Sequence, residues 1–128
     1  MRISFLSRRL PRRYAPGNDV RFFVRFLYAE DETGKMNLGL DAVQGEVMVV
    51  SQFTLYGNCR KGRRPSFVEA AGPELGNALY EKFLAICEEL GYPPQHGQFG
   101  ADMKVESIND GPVTLILDTD QLMNEPRR

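Results

Sequence analysis

One amphipathic period in the second half of this 128-residue chain constrains its fold more than any other feature. Leu75, Leu79, Phe83, Ile86 and Leu90 follow one another at intervals of 4, 4, 3 and 4, which is one face of a helix with a 3.6-residue period. Pro73 suits the first helical turn, where the amide that proline lacks would have no partner. Gly91 can take the left-handed conformation that closes a helix, and Pro93 and Pro94 prevent continuation. The spacing predicts a core-packing helix over 73–90. Around it stand runs that read as strands. Val20–Tyr28 is rich in Phe and Val, and a second run goes from Gly45 through Glu46-Val47-Met48-Val49-Val50 to Tyr56. Met103–Ile108 alternates, and Val113–Leu117 is nearly all apolar, as expected of a strand buried on both faces. Glu30 to Lys35 reads as a polar turn, and Asn109-Asp110-Gly111-Pro112 as a tight one. The class expected is α/β, a sheet with packed helix.

Composition narrows this further. A chain 42% hydrophobic and 26% charged is one domain with a core of its own, not a disordered tract. Its apolar runs are too short to cross a membrane as a helix. Two cysteines far apart, Cys59 and Cys87, and one histidine, His96, exclude a disulfide scaffold and a histidine-rich metal site. No repeat is visible. The net charge of -1 hides an asymmetry: residues 1–25 carry +6, residues 26–64 carry 0, and residues 65–128 carry -7. The N-terminal side can face a polyanion, or the charges are simply solvated. Residues 1–19 are expected to form an irregular basic segment, with Arg8, Arg9, Arg12 and Arg13 and no apolar export signal. A loosely fitting targeting peptide, a basic arm and an atypical start all match that composition. The lack of an export signal points to a cytoplasmic protein. Residues 20–120 are expected to form the domain, and 121–128 a polar tail.

Three places break the local logic of such a fold, and sites are expected there. In Ser51-Gln52-Phe53-Thr54-Leu55 an apolar strand runs straight into polar side chains. Alternation places Ser51 and Phe53 on one face, with Gln52 and Thr54 on the other. Buried polar groups there need partners or a ligand; a strand emerging at the sheet end needs neither. Gly111-Pro112 is a peptide bond that can be cis at a cost of about 0.5–1 kcal/mol, or an ordinary turn. Arg60, Lys61, Arg63 and Arg64 place four cations within five residues, as a phosphate clamp does and as a solvated basic loop also does. His96, between Pro94 and Gly97, reads as a surface residue. Cys59 lies beside cations that favour a thiolate, but has no histidine near it in sequence. Asp102, Glu106 and Asp110 lack the spacing of a paired-carboxylate site.

Taken together, Ser51-Gln52-Phe53-Thr54-Leu55 and Asn109-Asp110-Gly111-Pro112-Val113-Thr114 resemble the motif pair of the D-aminoacyl-tRNA deacylase family. Gly34-Lys35-Met36-Asn37, Arg60-Lys61-Gly62-Arg63-Arg64-Pro65-Ser66-Phe67 and Phe99-Gly100-Ala101-Asp102-Met103 match it in the same order. The resemblance covers roughly Val24 to Asp118. A sister group acting on L-alanyl-tRNA differs around both motifs, and Phe53 and Val113 favour the D-specific type. The resemblance implies hydrolysis of the ester between a D-amino acid and tRNA, with glycyl-tRNA as a second substrate, and no cofactor or metal. It implies a homodimer in which each subunit inserts its Gly111-Pro112 turn into the partner's site. In that scheme Ser51, Gln52, Phe53 and Thr54 form the catalytic strand, and Thr54 supports rather than attacks. Met36, Asn109, Phe99 and Ala101 line the substrate pocket, while Arg60, Lys61, Arg63 and Arg64 hold tRNA. The family begins with a β-hairpin and a further apolar strand, which residues 1–19 do not match. The fold implied is thus a deacylase-like sheet or barrel with its N-terminal strands partly missing. An inactive tRNA- or RNA-binding module and a non-functional truncated member of the family stay open as alternatives.

Overall fold

The computed structural model describes residues 2–4, 28–108 and 113–118. At its centre Val47–Val49 forms β4, flanked on both sides by parallel neighbours. On one side lies β1, Arg2–Ser4, with Arg2 opposite Val47 and Ser4 opposite Val49. These three residues fall within the segment expected to be irregular; so short a strand leaves no readable period. On the other side lies β5, Gln95–His96, with Met48 opposite Gln95 and Val49 opposite His96. Parallel strands cannot be joined by a tight turn. The crossover from β4 to β5 accordingly carries the helix α1, Pro73–Glu89.

The helix matches its expected bounds to within one residue. Proline stands in its first turn, and Gly91 follows with φ +86°. Its buried face is Tyr80, Phe83, Leu84, Ile86 and Cys87, packed on Val47 and Val49 of β4. That corrects the expected stripe: Leu75 is 57% exposed, and Leu79 and Leu90 are half-buried. Each residue turns a helix by about 100°. Reading Tyr80, Leu84 and Cys87 into the apolar set rotates the face away from Leu75. Alternation holds along β4, where Val47 and Val49 are buried and Met48 between them is only half-buried.

A separate antiparallel pair joins β2, Tyr28–Glu30, to β3, Met36–Gly39, around the expected polar turn. Apart from Tyr28, the strand expected over Val20–Tyr28 lies outside the described residues. The 3-10 turn Leu40–Val43 follows β3 directly.

Three strand expectations are corrected. The run from Gly45 to Tyr56 is a strand only over Val47–Val49, and Phe53–Tyr56 is a 3-10 turn. Gln52 causes the change: its side-chain oxygen accepts the Thr54 amide at 3.3 Å and caps the turn, and the Gly57 amide closes it on the Thr54 carbonyl at 3.0 Å. The alternating faces expected for Ser51 to Thr54 therefore do not form. Residues 103–108 and 113–118 belong to neither sheet. Ile108 is 86% and Ile116 90% exposed, so the last segment is not buried on both faces. An apolar or alternating run becomes a strand only when a neighbour offers its amides and carbonyls. The tight turn expected at 109–112, and the tail, lie outside the described residues.

Candidate functional site

The candidate site begins where parallel strands end. In sheets of parallel strands, ligands collect beyond the carboxyl ends, because the connecting loops there diverge. β4 and β5 run side by side, so the segments that leave them emerge at the same sheet end. Ser51 lies two residues beyond β4 and is half-buried; Phe99 lies three beyond β5, also half-buried. Tyr80 ties the two exits together. Its buried hydroxyl donates towards the Val49 carbonyl at 3.2 Å and the Gly97 carbonyl at 3.1 Å. Burial pushes this phenol's pKa up, so it stays a donor at neutral pH. The Phe99 ring packs 6.0 Å from the Tyr80 ring, over Gly76, where a Cβ would stand 3.1 Å from Phe99 Cζ. His96 is exposed, with Nδ1 3.1 Å from the Gly97 carbonyl. A surface cleft lined by Asn77, Glu81, His96, Gly97, Gln98 and Phe99 opens beside it.

The 3-10 turn after Gln52 connects the strand exit to the basic loop. Phe53 is 60% exposed, and its ring meets Phe67 edge-on at 5.2 Å and 72°. Gly57 permits this approach: a Cβ there would stand 3.0 Å from the Thr54 carbonyl oxygen and 3.1 Å from Phe67 Cε1. Asn58 and Ser66 pair through both backbone amides, at 2.9 and 3.0 Å, and form the neck of a loop. The Asn58 side chain also accepts the Arg60 amide at 3.0 Å. Arg60, Lys61, Arg63 and Arg64 all lie in that loop and all are exposed. Four cations on a short, closed loop beside an exposed aromatic ring can hold phosphates and stack a base. Cys59 is an exposed free thiol at the neck, whereas Cys87 is buried, which pushes its thiol up to about 11.

Asp31 orders the hairpin that bears Met36. Its Oδ1 accepts the Thr33 amide at 2.8 Å, the Thr33 hydroxyl at 2.7 Å and the Lys35 amide at 3.0 Å. Its Oδ2 accepts Asn37 Nδ2 at 2.7 Å. Thr33 foremost, then Lys35, hold this carboxyl down to about 2. Gly34 turns the chain with φ +78°. Farther along, the Tyr92 hydroxyl donates to Asp41 at 2.9 Å, fastening the end of α1 to the 3-10 turn after β3.

The structure thus links Ser51, Gln52, Phe53 and Thr54 to the basic loop through Phe67, and to the Phe99 segment through Tyr80. Gln52 and Thr54 are exposed and bonded to each other. Ala101 is exposed, its amide bonded to the Gln98 carbonyl at 3.2 Å. Met36 is 49% exposed on β3. Asn109, Gly111 and Pro112 lie outside the described residues. Among the described residues no cluster of His, Cys, Asp and Glu could hold a metal, and no helix is long and apolar enough to cross a membrane. Sequence reasoning missed Tyr80 and Asp31. The available signal for Tyr80 was a polar-tipped residue inside an apolar helical face, since such a tip needs a partner.

Comparison with known proteins gives a consistent picture. The family model described as D-Tyr-tRNA(Tyr) deacylase matches residues 20–118. A D-aminoacyl-tRNA deacylase of Thermotoga petrophila is 57% identical over 93 residues, covering 73% of this chain and 62% of that protein. One from Desulfatibacillum aliphaticivorans is 61% identical over 90 residues, covering 70% of this chain and 62% of the relative. The chain thus matches under two thirds of the length of these curated relatives. Among solved structures it is similar to the c-Myc DNA Unwinding Element Binding Protein, with a TM-score of 0.71 and 36% identity over 81% of this chain and 71% of that one.

Proposed function

Because this chain belongs to the D-Tyr-tRNA(Tyr) deacylase family, we propose that it hydrolyses the ester joining a D-amino acid to tRNA, as a cytoplasmic proofreader of translation. Water attacks the ester carbonyl, the bond to the ribose oxygen breaks, and that oxygen takes a proton. Free D-amino acid and reusable tRNA leave. The observation that carries this reading is the family match spanning residues 20–118, with the strand exit and the cation loop joined inside it by the Phe53–Phe67 contact.

Phe53 stacks on the terminal adenosine, and Ser51 and Gln52 shape its pocket together with Met36, Asn109, Phe99 and Ala101. Arg60, Lys61, Arg63 and Arg64 hold the tRNA phosphates; their exposure supports that role. Thr54 has a supporting part, because a threonine hydroxyl without an adjacent base is a poor nucleophile. The 2′-hydroxyl of the adenosine and main-chain donors assist the water and the developing oxyanion.

Chirality is sorted by shape. Two copies of the chain pair, and each lends its Gly111-Pro112 corner to the other's pocket. Main-chain carbonyls there form a wall. A D-residue turns its side chain away, an L-residue collides, and glycine, with no side chain, passes. Exclusion by collision protects the abundant L-aminoacyl-tRNA.

Release of tyrosine from D-Tyr-tRNA by the intact chain and by Gly111→Ala tests this. The added methyl intrudes into the pocket, so turnover is expected to vanish while fold and tRNA binding persist. Full turnover by the variant overturns the assigned role. Binding of tRNA by the unaltered chain without turnover overturns the deacylase reading in favour of an RNA-binding module.

A further inference from the structure

We propose that Tyr80 is a positioning residue whose hydroxyl locks together the two chain exits that carry the site. Its catalytic consequence rests on the deacylase reading above; the lock itself does not.

The helix face around Tyr80 is hydrocarbon: Phe83, Leu84 and Ile86 fill it, with Cys87. Phenylalanine would serve that packing equally well. A buried hydroxyl is costly unless it is bonded, so its presence calls for a partner. Here it has two, the Val49 and Gly97 carbonyls, and one proton is shared between them. Those carbonyls belong to neighbouring chain segments at the point where both leave the sheet: Val49 ends β4 opposite His96, and Gly97 follows β5 immediately. From one carbonyl the chain proceeds to Ser51 and the capped turn of Phe53; from the other it proceeds to Phe99, whose ring rests near that of Tyr80. Met103 packs closely over Gly97, where a Cβ would run into its Sδ. The hydroxyl therefore ties the last paired residue of β4 to the first residue beyond β5, at the edge where the sheet pairing stops.

Loss of that bond loosens geometry without removing any group that touches substrate. Rates depend on reacting atoms held to within a fraction of an ångström, whereas affinity for tRNA comes chiefly from phosphate contacts. A role of this kind lowers kcat and spares KM.

The test uses the full chain with Tyr80→Phe, and Tyr92→Phe as the control that loses a hydroxyl bonded elsewhere, to Asp41. Amide hydrogen exchange is read over residues 50–54 and 97–99, and deacylation of D-Tyr-tRNA gives kcat and KM. In Tyr80→Phe, protection is expected to fall in both segments together, with kcat down about tenfold and KM within about twofold. Tyr92→Phe is expected to leave all of these unchanged. In the unaltered chain the Tyr80 hydroxyl proton is expected to exchange slowly enough for detection by NMR, a readout that does not depend on the variant's folding. Unchanged protection in either segment, an unchanged kcat beside a lowered Tm, or a rapidly exchanging hydroxyl overturns the proposal. An unaltered chain without turnover, but with the paired loss of protection in Tyr80→Phe, overturns the deacylase reading and leaves the lock standing.

Discussion

Asp31 reaches four donor groups with two carboxylate oxygens, and the result is a residue whose acidity reports the order of its hairpin. Bonds to the charged form favour ionisation, which is why its pKa falls from 3.8 to about 2. Since the folded carboxyl is the stronger acid, the unfolded chain takes up the proton first as pH falls. The stabilisation from this cage is complete above the unfolded pKa and is lost as pH drops through about 2. An NMR titration of the Asp31 carboxyl is expected to show a midpoint near 2. Thr33→Val, which removes the largest cause, moves that midpoint back towards 3.8; an ordinary midpoint in the unaltered chain contradicts the cage. None of this was legible in sequence. Glu30 to Lys35 reads as a polar turn, but nothing in that reading singles out Asp31 as the residue that gathers its neighbours' donors once Gly34 bends the chain. Arg60, Lys61, Arg63 and Arg64 illustrate the reverse case. Their exposure follows directly from charge density and loop composition, and the structure agrees.

At the scale of elements, the helix was legible to within one residue and the strands only in part, β4 falling inside the run expected from Gly45 to Tyr56. A helix satisfies its own backbone groups, so its period, proline start and glycine stop are written locally. Only the rotation of its buried face escaped, because Tyr80, Leu84 and Cys87 were not counted in the apolar stripe. The correction has a measurable consequence. Leu84→Ala removes a buried side chain and is expected to cost about 2–5 kcal/mol of stability. Leu75→Ala, at an exposed position that the simple stripe made part of the core, is expected to change it by under about 0.5 kcal/mol. Denaturant melts of the two variants decide between the faces, and equal losses contradict the assignment. Strands borrow their partners from elsewhere in the chain, so alternation at 103–108 states a preference that pairing does not realise here. β3 was missed for the converse reason: Met36-Asn37-Leu38-Gly39 lacks β-branched residues yet pairs with β2. The turn over Phe53–Tyr56 was hidden because its cap comes from Gln52, a residue type that rarely announces one.

In the whole molecule, the site is a meeting of segments distant in sequence. The helix crossover brings the exits of β4 and β5 to one sheet end, and the Phe53–Phe67 contact sets the basic loop against them. Short motifs made these segments recognisable, but their meeting depends on the tyrosine and glycine contacts between them. The four exposed cations of the basic loop suit a polyanion. Discrimination between mirror-image esters demands more than such attraction, since phosphate contacts are the same for both. The most direct measurement is therefore the rate of tyrosine release from D-Tyr-tRNA and from L-Tyr-tRNA, taken side by side with the intact chain. Rapid loss of the D-ester with the L-ester left intact is the expected result; equal hydrolysis of both, or hydrolysis of the L-ester alone, contradicts it.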